Sequence, residues 1–205
     1  MVIKLLGEYD YDQGAEIRED VFFVRKGVRK RLLSWVMKKN ITSIHDALVY
    51  LLQGMHYTEL QLQEGVAALM YQVKSFTLRR EIEVYLQHSR DEMLRIDRMF
   101  NFLDCSARLR EDAVIDQLLR EMHAILTSTA EPHLKEVLMI GALRGMNALK
   151  LAAYQNAWEL AVALQKDQVI KLLQPIIAWE MDMAKVFAML SAQEFYRFPE
   201  VPILK

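Results

Sequence analysis

Any chemistry in this sequence has to start from Glu59 and Glu180, because each interrupts a run of apolar side chains at helical spacing. Ile44, Leu48, Leu52, Met55, Leu62, Val66, Leu69 and Val73 recur at alternating three- and four-residue steps, and the step from Met55 to Leu62 passes through Glu59. Val169, Leu173, Ile176, Met183, Phe187 and Leu190 form a second stripe, with Glu180 on it. An ionised carboxylate facing a core is costly unless it meets a cation, a metal or strong donors. Two of them on separate stripes make a more specific signal than either alone. A third stripe, Met139, Leu143, Met146, Ala153, Ala157, Leu160 and Leu164, carries Lys150, with Asn147 one turn back at its margin. On a fourth face, His88 and Glu92 stand one turn apart near the edge and Ser89 sits at the centre.

These residues admit two chemistries. If Lys150 meets Glu59 or Glu180, an ammonium takes the place of a metal in a buried polar cluster of Glu59, Lys150, Glu180 and Asn147. Alternatively, Glu59, His88, Glu92 and Glu180 supply a thin ligand set for a divalent metal. Such an ion needs several oxygen or nitrogen ligands and little competing positive charge, so Lys150 argues against it. Plainer readings stand beside both. Glu59 snorkels to water, Glu180 lies at a subunit interface, His88 is a surface histidine, and Lys150 carries its ammonium to the bundle end. The twelve methionines are economically core filling. No serine–histidine–acid set, glycine-rich phosphate loop or paired-cysteine zinc pattern is present.

The elements that must position these residues are long helices. Ser43, with Asp46 three residues on, gives a capping-box start to a helix over 43–73. A second runs over 77–103 through Leu78, Ile82, Tyr85, Leu86, Ser89, Met93, Ile96, Phe100 and Leu103. A shorter amphipathic helix spans 110–127, a third long one 133–165 and a fourth 167–194. Pro175 inside the last predicts a kink or an irregular first turn. The reading is an all-α, ferritin-like four-helix bundle over 41–194, made of two antiparallel hairpins with a short extra helix between them. It is preceded by an N-terminal extension, 1–40, and followed by an extended tail, 195–205, holding Pro199 and Pro202.

Composition agrees. Of 205 residues 53% are hydrophobic, while seven glycines and four prolines are too few for a turn-rich β fold. A net charge of −1 gives no global pull toward nucleic acid or membranes. The local exception is a helical candidate over 15–39, where Arg25, Lys26, Arg29, Lys30, Arg31, Lys38 and Lys39 follow one another with no acid among them. Residues 25–39 read first as a solvated face and second as a dock for an acidic partner or nucleic acid. A lone Cys105 excludes an intramolecular disulfide framework, no apolar run approaches a membrane span, and the N-terminus does not read as a signal peptide. A cytoplasmic protein is expected.

Over about residues 41–192 the chain resembles the YciF-like family, a ferritin-like group of bacterial stress-associated proteins. The resemblance rests on His56-Tyr57-Thr58-Glu59-Leu60-Gln61-Leu62, Arg95-Ile96-Asp97-Arg98-Met99-Phe100, Asp116-Gln117-Leu118-Leu119-Arg120-Glu121 and Ala152-Ala153-Tyr154, in that order. It implies a four-helix bundle, often a homodimer, with a di-iron centre. The departures bear on function. Glu59 and Glu180 match acidic family positions, whereas His88 and Glu92 are an apparent exchange of the family's order. The third long helix reads Asn147-Ala148-Leu149-Lys150 where the family has Glu-His-Tyr-Glu. The fourth has Trp179 and Ala184 in place of further acids. The expectation is therefore a non-catalytic, degenerate bundle without cofactor, dimeric and structural or interactive in role. The alternative is an iron or manganese protein with oxidase or peroxide chemistry, and the third reading is a binding module using the basic helix.

Overall fold

The computed structural model describes residues 41–195. The expected basic helix at 15–39 and the tail lie outside them, apart from Phe195, which ends a helix. Among the described residues there are five helices and no strand: α1 (Ile44–Met70), α2 (Phe76–Phe102), α3 (Ala113–Ser128), α4 (Pro132–Ala163) and α5 (Asp167–Phe195). No helix among them is long and apolar enough to cross a membrane.

Local chemistry sets the boundaries. Ser43 Oγ accepts from the Asp46 amide at 3.0 Å, and the Asp46 carboxylate accepts from the Ser43 hydroxyl at 2.9 Å, an aspartate version of the capping box. Ser75 caps α2 through the Leu78 amide. Asp112 caps α3 through the Val114 amide at 3.0 Å, so this helix starts at Ala113 rather than at the expected residue 110. Glu131 caps α4, with Pro132 in the first turn where its missing N–H costs nothing. Asp104 (φ 50°) and Gln165 (φ 54°) adopt the left-handed conformation just past α2 and α4. The following amides, of Cys105 and Lys166, reach back to the carbonyls of Phe100 (3.1 Å) and Ala161 (2.9 Å), which closes both ends. Pro175 lies inside α5, which is continuous from Asp167, so the expected irregular first turn is absent. Lys171, whose carbonyl the proline deprives of a donor, is exposed, and water can take that bond.

The four long helices form an all-α, ferritin-like bundle of two hairpins, α1–α2 and α4–α5, with α1 also against α4 and α2 against α5. The link between hairpins is α3, which lies along α1 and α4 and returns the chain to the other end. Two glycines of α1 admit it closely. A Cβ on Gly65 would stand 2.8 Å from Leu119 Cδ2, and one on Gly54 would collide with the Arg110 guanidinium. Tyr57 fastens the same contact by donating to the Asp116 carboxylate at 2.8 Å.

The interior falls into two apolar halves. One gathers Leu62, Val66, Ile82, Leu143, Met146 and Phe187. The other gathers Leu52, Met55, Ile96, Phe100, Ala157 and Ile176. The expected stripes of α1 and α5 are buried throughout, except that Ile44 is half exposed. On α2 the fully buried position is Glu92 rather than Met93, and on α4 Tyr154 and Ala161 are buried while Ala153, Leu160 and Leu164 lie at the margin. Of these, Glu92 and Tyr154 meet at the level between the two halves.

Candidate functional site

Between the apolar halves lies a polar layer built by all four long helices. Lys150 projects from α4 with its side chain 1% exposed, and Nζ lies 3.0 Å from Glu59 Oε2 of α1, 2.9 Å from Glu92 Oε2 of α2 and 2.6 Å from Glu180 Oε1 of α5. Tyr154, one turn along α4, donates its hydroxyl to Glu59 Oε1 at 2.7 Å and approaches Glu92 Oε2 at 3.3 Å. Asn147, one turn back, donates from Nδ2 to the Glu180 carboxylate and to the Glu180 carbonyl. Residues 147, 150 and 154 thus stand on one face of α4 at three- and four-residue steps, each meeting a carboxylate of another helix. Tyr85 places its ring against the ammonium, 4.7 Å from the centroid, and packs edge-on against Phe187. Ser89 Oγ donates to the Glu59 carbonyl at 3.3 Å and ties α2 to α1 beside the cluster.

The plainer readings of Glu59, Glu180 and Lys150 do not hold, while that of His88 as a non-ligand stands. Glu59 is wholly buried rather than snorkelling, Glu180 is buried within its own chain, and Lys150 ends in the interior rather than at the bundle end. His88 is not with the carboxylates: its ring stacks on Trp179 at 4.8 Å, and Arg95 covers the same indole at 4.9 Å. Of the metal-ligand set drawn from the sequence, then, Glu59, Glu92 and Glu180 converge and His88 stands apart. Tyr154 and Tyr85 belong to the site and were not singled out as site residues. Tyr154 was legible, because stepping from Leu143 through Asn147 and Lys150 reaches it, then Ala157 and Ala161.

Charge decides how the layer is held. Burial pulls the Lys150 ammonium toward neutrality, but Glu180, Glu59 and Glu92 outweigh it and push its pKa well up, so it stays charged. Burial also pushes the Glu92 carboxyl well above the usual range; Lys150 opposes this, and Glu59 and Glu180 add to it. Glu92 accordingly holds its proton to higher pH than an exposed glutamate does. Tyr154 is held protonated by burial and by Glu59 and Glu92.

The state of Glu92 has a measurable consequence. Its contribution to stability is fully present below the unfolded value near 4.5 and falls as pH rises, because the unfolded chain releases a proton that the folded chain keeps. Glu92→Gln, which mimics the protonated carboxyl, should flatten this slope by up to about 1.4 kcal/mol per pH unit. Urea unfolding of both proteins at pH 5 and pH 8 measures it, and parallel losses would mean that Glu92 is ionised.

The residues present do not fit the di-metal centre implied by a ferritin-like carboxylate bundle. The ammonium sits where the carboxylates converge, and Asn147 and Lys150 offer no carboxylate from α4. What the arrangement does chemically is cross-link four helices by ion pairs and hydrogen bonds at mid-height.

Comparison with known proteins places this geometry in a family. The chain is 21% identical over 142 residues to Protein YciF of Escherichia coli (strain K12), covering 69% of this chain and 86% of that protein. The crystal structure of the E. coli stress protein YciF superposes with a TM-score of 0.74 at 19% identity, covering 77% of this chain and 99% of the other. YcfI from Rhodopseudomonas palustris gives 0.71 at 17% identity, covering 74% and 97%. These likenesses show the shared fold. The family model described as Domain of unknown function (DUF892) matches residues 43–198, which span the whole bundle, and this YciF-like chain belongs to that family.

Proposed function

We propose that this protein is a non-catalytic member of its family, a structural or interaction protein in which a lysine cross-link does the work of a metal centre. The observation that carries this reading is the position of Lys150 Nζ, between 2.6 and 3.0 Å from carboxylates on three other helices. An ammonium there supplies the positive charge those carboxylates require and leaves no room for a cation to share them. A bundle held this way needs neither metal nor redox partner to stay assembled. A role in stress is by analogy with the E. coli relative described as a stress protein. We take the working unit to be a homodimer, acting in the cytoplasm.

The test is elemental analysis of protein purified without chelator, then reloaded anaerobically with ferrous iron, alongside Glu59→Ala. Equal metal content in the two proteins is expected, so that whatever metal the chain carries is indifferent to the central carboxylate. About two irons per chain, the di-metal count of ferritin-like carboxylate bundles, lost on Glu59→Ala, would overturn the proposal in favour of metal chemistry.

A further inference from the structure

His133, Glu136 and Glu194 form a second cluster, away from Lys150, where α4 begins and α5 ends. Ligand atoms of the three lie within 4.8 Å of one another. Both carboxylates are buried, Glu136 at 7% and Glu194 at 4% exposure. His133 and Glu136 stand one turn apart on α4, so the helix itself brings them to one face.

The hydrogen bonds point to what the cluster takes. His133 Nε2 lies 3.1 Å from the Glu194 carbonyl, which can only accept, so this nitrogen carries the proton. His133 Nδ1 then faces Glu194 Oε2 at 3.0 Å. A lone pair cannot face a carboxylate at that distance, so a proton or a metal must lie between them. With ligand bonds of about 2.0–2.2 Å, two atoms on one metal stand roughly 3–3.5 Å apart, which the His133–Glu194 pair meets, and Glu136 lies within 4.8 Å of both. An imidazole donating its far N–H to a backbone carbonyl is also the usual support of a metal-bound histidine. Glu136 is fixed comparably, since its Oε1 accepts from the amides of Lys74 (2.9 Å) and Ser75 (2.6 Å) in the α1–α2 turn.

We infer that His133, Glu136 and Glu194 bind one divalent transition metal, zinc or manganese by their mixed nitrogen and oxygen ligands, which pins the α1–α2 turn and the end of α5 to the start of α4. Tag-free full-length protein, stripped with chelator and titrated with Zn²⁺ alone, should retain one ion per chain after desalting and melt at a higher temperature. His133→Ala should weaken binding by at least about 100-fold. Glu136→Gln, which keeps a carbonyl for the two loop amides and so preserves the fold, should weaken it as well. Glu59→Gln should leave it unchanged. No retained zinc in the wild type, or zinc indifferent to both His133→Ala and Glu136→Gln, overturns the inference and leaves the reading of Lys150 intact. Zinc lost on Glu59→Gln instead would assign the metal to the central layer and overturn both.

Discussion

Lys150→Met should destabilise the protein by about 3–5 kcal/mol at neutral pH, the usual cost of removing one partner from a buried ion pair. Methionine keeps the length of the stem and removes only the ammonium, so the packing term is small and the loss reports charge. Without the ammonium, Glu59, Glu92 and Glu180 share a dry layer in which Tyr154 and Asn147 are the donors. The fold then survives by protonating carboxyls. Glu92, already pushed up by burial, loses the Lys150 charge that opposed the shift, so its contribution is fully present below the unfolded value near 4.5 and is lost as pH rises above it. The destabilisation should therefore be smaller at pH 5 than at pH 8. Urea titration of both proteins at the two values decides it, and a loss below about 1 kcal/mol at pH 8 would mean that the ammonium is solvated.

That a lysine charge is central to the fold was legible because Glu59, Glu180 and Lys150 each break an otherwise apolar stripe, and a broken period is visible in one dimension. The five helices were legible for the same reason, and the aspartate capping box at Ser43 was written in two residues. Glu92 was misplaced to the edge of its face because Met93, next to it, is apolar and offers an equally good step along the helix. Periodicity counts hydrophobic residues, so where two neighbours compete it favours the apolar one, and the structure buries the acid because Lys150 awaits it. Tyr154 was passed over by the same bias in favour of Ala153. The cluster of His133, Glu136 and Glu194 gave no signal, since Glu194 lies 61 residues from His133 and only closure of the α4–α5 hairpin brings them together.

The polar layer should also make the protein collapse steeply in alkali. Three fully buried groups in it have pKa values pushed well up, and the sign is the same for each. Lys150 is raised by Glu180, Glu59 and Glu92 against the pull of burial, so its contribution is fully present below the unfolded value of 10.5 and is lost as pH rises above it. Tyr85 is raised by burial and by Glu180, with Lys150 opposing, and Tyr154 by burial with Glu59 and Glu92. In the unfolded chain both phenols ionise near 10.0, while in the folded chain they cannot, so their contributions also fall above that value. Each group costs about 1.4 kcal/mol per pH unit once the unfolded chain has lost its proton, and three together cost about 4 kcal/mol per unit. A typical stability of about 5–15 kcal/mol would then be exhausted within a few pH units above 10.5, in a cooperative transition. Unfolding followed by far-ultraviolet circular dichroism from pH 8 to pH 12, with tyrosinate absorbance recorded in parallel, should show the phenols ionising together with loss of helix. Tyr154→Phe should make the transition shallower by one proton while lowering stability at neutral pH, because Glu59 loses its 2.7 Å donor. Tyrosinate appearing in full before any helix is lost would place Tyr85 and Tyr154 in contact with water, and the layer would not be the dry cross-link described.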